Sequence, residues 1–247
     1  DKSALSPSAA LLVKLTPQLS VYGSTIQGLS QGSTAPATAA NANEVLPPFK
    51  TKQYELGAKF DFGDFAATAA LFQIARPSLY TDPVTNIYAA NGEQRNRGVE
   101  LNVFGQATKG LRLLGGITYL EATLRKQLVA RNNGNQATGV PKIVARLGAE
   151  WDVAALPGLT LTGLINHVSK RYATADNRLS LAPYATMNVG ARYTTRVAGR
   201  PVALRASVDN LTNKAYWGGS WGASGDSGIS GGLGAPRTFL LSASVDF

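Results

Sequence analysis

Apolar and polar side chains alternate along short stretches of this chain, and the alternation recurs from one end to the other. In residues 140–152, Ile143, Ala145, Leu147, Ala149 and Trp151 interleave with Lys142, Val144, Arg146, Gly148 and Glu150. In residues 51–62, Tyr54, Leu56, Ala58, Phe60 and Phe62 interleave with Gln53, Glu55, Gly57, Lys59 and Asp61. The last segment places Phe239, Leu241, Ala243, Val245 and Phe247 on one face and Thr238, Leu240, Ser242, Ser244 and Asp246 on the other. A period of two is the mark of a β-strand, whose successive side chains point to opposite faces. The pattern predicts strands near 8–15, 19–29, 51–62, 65–77, 94–106, 111–124, 140–152, 159–169, 183–196, 201–211 and 237–247.

The connections are sorted by length. Short turns at 16–18, 63–64, 107–110, 152–158 and 197–200 alternate with long connections at 30–50, 78–93, 125–139, 170–182 and 212–236. Alternating strands with a charged face fit two architectures: a soluble sandwich with that face in water, or a barrel with that face lining the interior. A sandwich has no reason to sort its loops by parity, whereas outer-membrane barrels carry short periplasmic turns on one rim and long extracellular loops on the other. The chain therefore reads as all-β, an antiparallel outer-membrane β-barrel. Phe60, Phe62 and Phe65 beside a short turn, and Tyr184 beside a long loop, are the expected interface anchors.

Composition agrees without deciding. Mean hydropathy is near zero over 247 residues and no window resembles a transmembrane helix of about 20 apolar residues, yet a barrel needs only every second residue apolar. Cysteine is absent, which excludes a disulfide scaffold and cysteine-ligated metal, and the single histidine, His167, leaves little material for any metal site. The net charge of +9 raises nucleic acid as a partner. The basic residues are spread over nearly every segment and no recognition motif frames them, so no nucleic-acid partner is expected. Anionic lipopolysaccharide, anionic chelates and a polar barrel interior account for the charge.

Two motifs suggest chemistry and fail on context. Gly225-Asp226-Ser227-Gly228 matches the nucleophile tetrapeptide of trypsin-like proteases, but His167 is the sole available base and sits in a strand without that family's histidine setting. The glycine- and serine-rich run from Gly218 to Gly234 lacks the strand-to-helix passage and Gly-Lys-Ser/Thr of a phosphate cradle, and reads as a mobile surface loop. No constellation supports catalysis, so no enzyme is expected. The long connections carry Tyr80, Tyr88, Tyr172, Tyr216, Trp217 and Trp221. Exposed rings there can contact flat or apolar ligands, or pack the loops together.

Three phrases go further. Val208-Asp209-Asn210-Leu211-Thr212-Asn213-Lys214-Ala215-Tyr216, followed by Gly234-Ala235-Pro236-Arg237-Thr238-Phe239 and a terminal Phe247, resembles the carboxyl end of TonB-dependent siderophore receptors. Asn96-Arg97-Gly98-Val99-Glu100-Leu101 looks like the strand that follows a long loop in that family. Pro47-Pro48-Phe49-Lys50-Thr51-Lys52-Gln53-Tyr54-Glu55-Leu56-Gly57 is similar to the stretch that re-enters the barrel. The resemblance implies a 22-stranded barrel plugged by an N-terminal domain, of which residues 1–247 are the C-terminal part, with the plug and the first half of the barrel absent. It implies a bacterial outer-membrane receptor importing a ferric siderophore with energy from the inner membrane, iron arriving only with the ligand and no resident cofactor. Its implied partners are the siderophore, outer-membrane lipid and lipopolysaccharide, and TonB through the absent N-terminal region. The six loop aromatics are the expected ligand-binding residues. A passive porin and an autotransporter-like β-domain are the alternatives.

Faces and edges follow from the strand count. Leu56, Phe60, Ile143, Leu147, Trp151, Val189, Tyr193, Leu204, Val208, Leu241 and Val245 are expected to meet lipid. Glu55, Lys59, Glu100, Lys142, Arg146, Arg192, Arg205 and Asp209 are expected to point inward. With eleven antiparallel strands the first and last run the same way, so the sheet is expected to stay open between them.

Overall fold

The computed structural model describes residues 4–221 and 230–245. An eleven-stranded antiparallel meander contains β1 (Ser8–Lys14), β2 (Leu19–Ser30), β3 (Phe49–Asp61), β4 (Phe65–Thr81), β5 (Tyr88–Thr108), β6 (Leu111–Arg125), β7 (Ile143–Asp152), β8 (Leu159–Val168), β11 (Tyr184–Val197), β12 (Arg200–Asp209) and β15 (Thr238–Val245). The expected strands all form, in the expected order. Two small ribbons lie in the long connections: β9 (Arg171–Tyr172) with β10 (Ser180–Leu181), and β13 (Trp217–Trp221) with β14 (Ser230–Leu233). The glycine-rich run expected as a plain loop is thus partly a hairpin. The Gly225–Gly228 tetrapeptide and Phe247 lie outside the described residues.

The short turns are closed locally. The Thr16 hydroxyl oxygen accepts the backbone N–H of Gln18 and Leu19 at 3.2 and 3.0 Å, and a carboxylate oxygen of Asp61 accepts that of Gly63 at 2.9 Å. Such side-chain acceptors stand in for ladder partners where the chain reverses.

Register sorts side chains cleanly, because residues directly opposite in a ladder share a face. One row reads Leu11, Gly23, Leu56, Leu71, Val99, Tyr119, Ile143. Another reads Leu147, Ile165, Met187, and a third Val189, Val208, Phe239. The opposite face carries Glu55, Lys59, Glu100, Arg146, Arg192, Arg205 and Asp209. The apolar face is also the exposed one: Leu56 is 62% accessible, Trp151 53% and Leu241 86%. On a curved sheet the concave side crowds its side chains and the convex side splays them. The polar side chains instead meet one another, with the Tyr22 hydroxyl donating to Glu55 at 2.6 Å and Asn102 to Glu100 at 2.7 Å. This inversion suits a sheet whose solvent is lipid.

Two expectations are corrected. Tyr184 shares the polar face with Thr186 and stacks on Tyr216, so the outward rings at the long-loop end are Tyr54 and Tyr119. The connection expected at 78–93 is mostly strand: β4 has 17 residues and β5 has 21, with only 82–87 left as the turn. About 9–11 residues cross a bilayer, so this hairpin stands well beyond it. Both faces meet water there, which erases the period-two pattern in the sequence although the backbone stays extended.

Neighbours along the sheet are antiparallel throughout, and β1 and β15 are its two ends, unpaired with each other. Unpaired strand edges in hydrocarbon cost several kcal/mol per group. Expressed alone, the chain is expected to give no heat-resistant closed barrel on semi-native electrophoresis. A heat-modifiable band from the isolated chain would show closure by another route. Within a barrel closed by further strands, Leu147→Arg is expected to destabilise by about 2–4 kcal/mol, read from denaturant titration in vesicles. An unchanged midpoint would place this face in water.

Candidate functional site

The long-loop rim is where the chain builds a packed interior. Among the described residues the buried apolar side chains are Ala35, Ala39, Leu46, Ala122, Leu124, Ala137 and Ala173, all at that end of the strands. Ala122, Leu124 and Ala137 form a cluster with Leu120, Val140 and Ala175 packed against it. The connections there fall into two groups, each fixed by amide side chains.

The first group joins residues 31–48 to the tip of the β4–β5 hairpin. Asn41 takes the Tyr88 backbone N–H at 2.9 Å and donates to the Tyr88 carbonyl at 3.0 Å, matching that strand end as another strand would. Asn86 donates to the Thr38 carbonyl at 3.1 Å, and its own carbonyl accepts the Ala40 N–H at 2.6 Å. In the turn itself, the Asp82 carboxyl is held below its ordinary pKa by the backbone N–H groups of Thr85 and Val84.

The second group joins the connections after β6, β8 and β12. Asn177 exchanges two hydrogen bonds with the Gln136 backbone, at 2.8 and 2.9 Å, and Asn135 donates to the Ala175 carbonyl at 2.9 Å. Asp176 lies below its ordinary pKa because the Thr174 hydroxyl and the Arg178 N–H donate to it. Arg171 is 8% exposed and donates to the Trp217 carbonyl, with its guanidinium 6.0 Å from the Tyr184 ring centre. Tyr184 in turn stacks on Tyr216 at 4.2 Å. A cleft of about 580 Å³ opens beside this group on the outward side of the sheet, lined by the outward Tyr119 and Glu121 and by Gln136, Lys170, Tyr172 and Asn177 among others. That volume suits a small molecule. The Lys170 ammonium lies 4.8 Å above the Tyr172 ring, so the cleft offers a cation, an aromatic ring and amides.

Asn210 closes the largest connection at its base. It is 4% exposed with φ of 49°, a left-handed conformation that asparagine tolerates better than most residues. Its N–H donates to the Asn188 side chain at 3.0 Å, and its own side chain holds Lys214 at 2.8 and 2.9 Å and the Ala235 carbonyl at 3.0 Å. Asn213 accepts the Arg237 N–H at 3.0 Å. The two phrases that carried the carboxyl-end resemblance are thus one contact, the first clamping the second. Gly98 explains another: a Cβ there would fall 2.3 Å from the Tyr119 carbonyl and 2.6 Å from the Phe72 ring.

The six expected aromatics therefore divide. Tyr80 and Tyr88 lie on the β4–β5 hairpin, Tyr88 clamped by Asn41; Tyr172, Tyr216 and Trp217 belong to the second group. Tyr216 is a packing ring, lying where a Cβ on Gly234 would collide with it, while Trp217 is 46% exposed. The Trp221 side chain lies outside the described residues. Sequence reading missed Arg171 and Asn41, which have no periodicity or motif to mark them, and took Asn210 only as part of the carboxyl-end phrase.

Deeper on the polar face, Arg112 joins Asp152 at 2.7 Å and Glu150 at 3.2 Å, Arg192 lies 3.7 Å from Glu150, and Thr160 donates to Asp152 at 2.7 Å. The group spans β6, β7, β8 and β11 near the short turns.

Replacing Asn210 with alanine removes three side-chain hydrogen bonds at a buried position and is expected to cost roughly 2–4 kcal/mol. Proteolysis within 214–236 should accelerate while the strands stay protected from amide exchange. Unchanged cleavage would mean that the base of this connection is held elsewhere.

A family model for the β-barrel of TonB dependent receptor-like proteins matches residues 1–211. The ferrichrome receptor FcuA of Yersinia enterocolitica is 38% identical over 252 residues, covering 100% of this chain and 33% of that protein. The crystal structure of BauA, the ferric preacinetobactin receptor of Acinetobacter baumannii, superposes with a TM-score of 0.88 at 49% identity, covering 100% of this chain and 37% of that one. The siderophore receptor PiuA of the same organism gives 0.80 at 25% identity, covering 96% and 35%. The chain spans about a third of the length of these relatives. It belongs to the TonB-dependent receptors, as part of their outer-membrane β-barrel.

Proposed function

We propose that this chain is the C-terminal part of the barrel of a receptor that imports a ferric siderophore across the outer membrane, drawing energy from the inner membrane through TonB. The observation that carries the reading is the division of labour along the strands. A rigid ladder with an apolar exterior ends, at one rim only, in connections locked into two groups with exposed rings. Recognition on loops held by a rigid scaffold is the usual arrangement for binding. The relatives named above are receptors for different ligands, ferrichrome and preacinetobactin, so a ferric siderophore is the class they share. Iron enters as part of that cargo.

The open edges support a longer receptor. Since β1 and β15 run the same way, antiparallel closure requires an odd number of further strands. The charged inner face, with Arg112, Glu150, Asp152 and Arg192, suits a wall packed against a polar N-terminal plug that TonB pulls on. Outer-membrane lipid and lipopolysaccharide surround the apolar face.

In the intact receptor, Tyr172→Ala and Trp217→Ala are each expected to weaken ferric-siderophore binding roughly tenfold while leaving membrane insertion unchanged. Tyr80→Ala tests the first loop group in the same assay. Tyr216→Ala should lower thermal stability first, because its ring packs on Tyr184 and over Gly234. Unchanged affinity in Tyr80→Ala, Tyr172→Ala and Trp217→Ala together would return these rings to loop packing and remove the rim as the binding surface.

A further inference from the structure

The inner face departs from polarity along one rung of the ladder. Thr68, Asn102, Gly116, Arg146, Asn166 and Thr186 form one mostly polar rung there, and Gln106, Arg112, Glu150, Thr162 and Gly190 form another. The rung between them reads Ala66, Phe104, Leu114, Gly148, Leu164 and Asn188. Asp209 extends it on β12, beside the Val189–Val208 pair. Phe104 is 47% accessible and Leu114 71%, so large apolar side chains stand open on a wall that otherwise offers charges and amides. An exposed apolar patch rimmed by polar groups marks a binding surface.

The patch is also hollow. A cavity of about 530 Å³ lies over it, with Phe104, Leu114, Gly148, Leu164, Asn188 and Asp209 in its wall. Gly148 supplies the depth: a Cβ there would fall 3.7 Å from the Leu164 side chain, so the missing side chain leaves a slot between Leu114 and Leu164. Charge then selects the occupant. Arg112 and Glu150 at the lower edge are already joined to each other, whereas the Asp209 carboxylate forms no ion pair among the described residues. Arg146, one rung higher, is not part of the wall. An anion would meet an uncompensated carboxylate, and a neutral apolar ligand would strip water from Asp209 without replacing it. From Gly148 on β7 to Asp209 on β12 is three strand spacings, roughly 14 Å.

We propose that this inward slot is a binding site for amphiphilic cations, with the apolar body over Leu114, Gly148 and Leu164 and the cationic head on Asp209. The site requires only that this face line a barrel interior, and it is independent of what the rim binds.

Equilibrium dialysis of decyltrimethylammonium against nanodiscs holding the intact receptor, with empty nanodiscs as the blank, reads the site. Saturable binding above the blank is expected, and decyl sulfate, the anion with the same chain, should not compete. Asp209→Asn keeps the shape, removes the charge and is expected to weaken binding roughly tenfold. Gly148→Leu fills the slot and is expected to weaken it to a similar degree. Because a Cβ at Gly148 also comes 3.3 Å from the Leu114 carbonyl, Leu114→Ser at its exposed position is the second variant, expected to lower affinity several-fold with the ladder undisturbed. Wild-type affinity in Asp209→Asn, or competition by decyl sulfate, would overturn the cationic assignment. Wild-type affinity in both Gly148→Leu and Leu114→Ser would put the ligand elsewhere, and no saturable binding to the wild-type receptor would mean that another part of the receptor fills the slot; either result overturns the site. Ferric-siderophore binding on the same nanodiscs should be unaffected by all three substitutions. Its absence from the wild-type receptor would overturn the proposed function alone, whereas its loss in step with the cation across the variants would make the slot part of the cargo path and overturn it as a separate site.

Discussion

Where no water is available, each backbone N–H and C=O must find its partner within the protein, and the antiparallel ladder is what meets that demand here. Everything else in the molecule is arranged around it. β4 and β5 overrun the bilayer because nothing penalises extra ladder in water. The same demand makes the two free edges the weakest feature of the isolated chain. A second copy in the same orientation would meet it only through parallel seams, since β1 and β15 point the same way. Further strands, odd in number, meet it with the pattern the sheet already uses.

Given that ladder, polarity becomes a matter of parity. The exposed face is apolar and the crowded face is charged, the reverse of a soluble sheet, and the described residues contain no large side chain that is fully buried. The hydrophobic contribution to such a fold comes from lipid contact, so the interior is free to be polar and to carry ion pairs such as Arg112 with Asp152 and Glu150. A wall of this kind changes shape little.

At the rim, asparagines replace the ladder as the organising element. Asn41 and Asn177 each present a donor and an acceptor to a backbone segment far away in sequence; Asn210 holds nearby Lys214 in that way, donates as well to the distant Ala235 carbonyl, and supplies the left-handed turn at the base of the largest connection. Loops held this way are ordered before a ligand arrives, which spares the cost of ordering them on binding. Exposed Trp217 beside buried Arg171 shows two situations side by side, one ring left open at the rim and one side chain fastening the loops to each other.

The sequence by itself determined the strands, their faces and the sorting of short from long connections, because period-two alternation and turn residues are local and lipid enforces them over the whole bilayer. Leu147 and Arg146 could be assigned to opposite faces from neighbouring positions alone. Tertiary structure decided the rest. The ring partners of Tyr184, Tyr216 and Arg171, came from distant segments, the extension of β4 and β5 past the bilayer from pairing between Tyr80 and Ala89, and the grouping of the loops from asparagines some forty residues from their partners. Those contacts join points distant in the chain and in water, where no periodic solvent boundary writes them into the sequence.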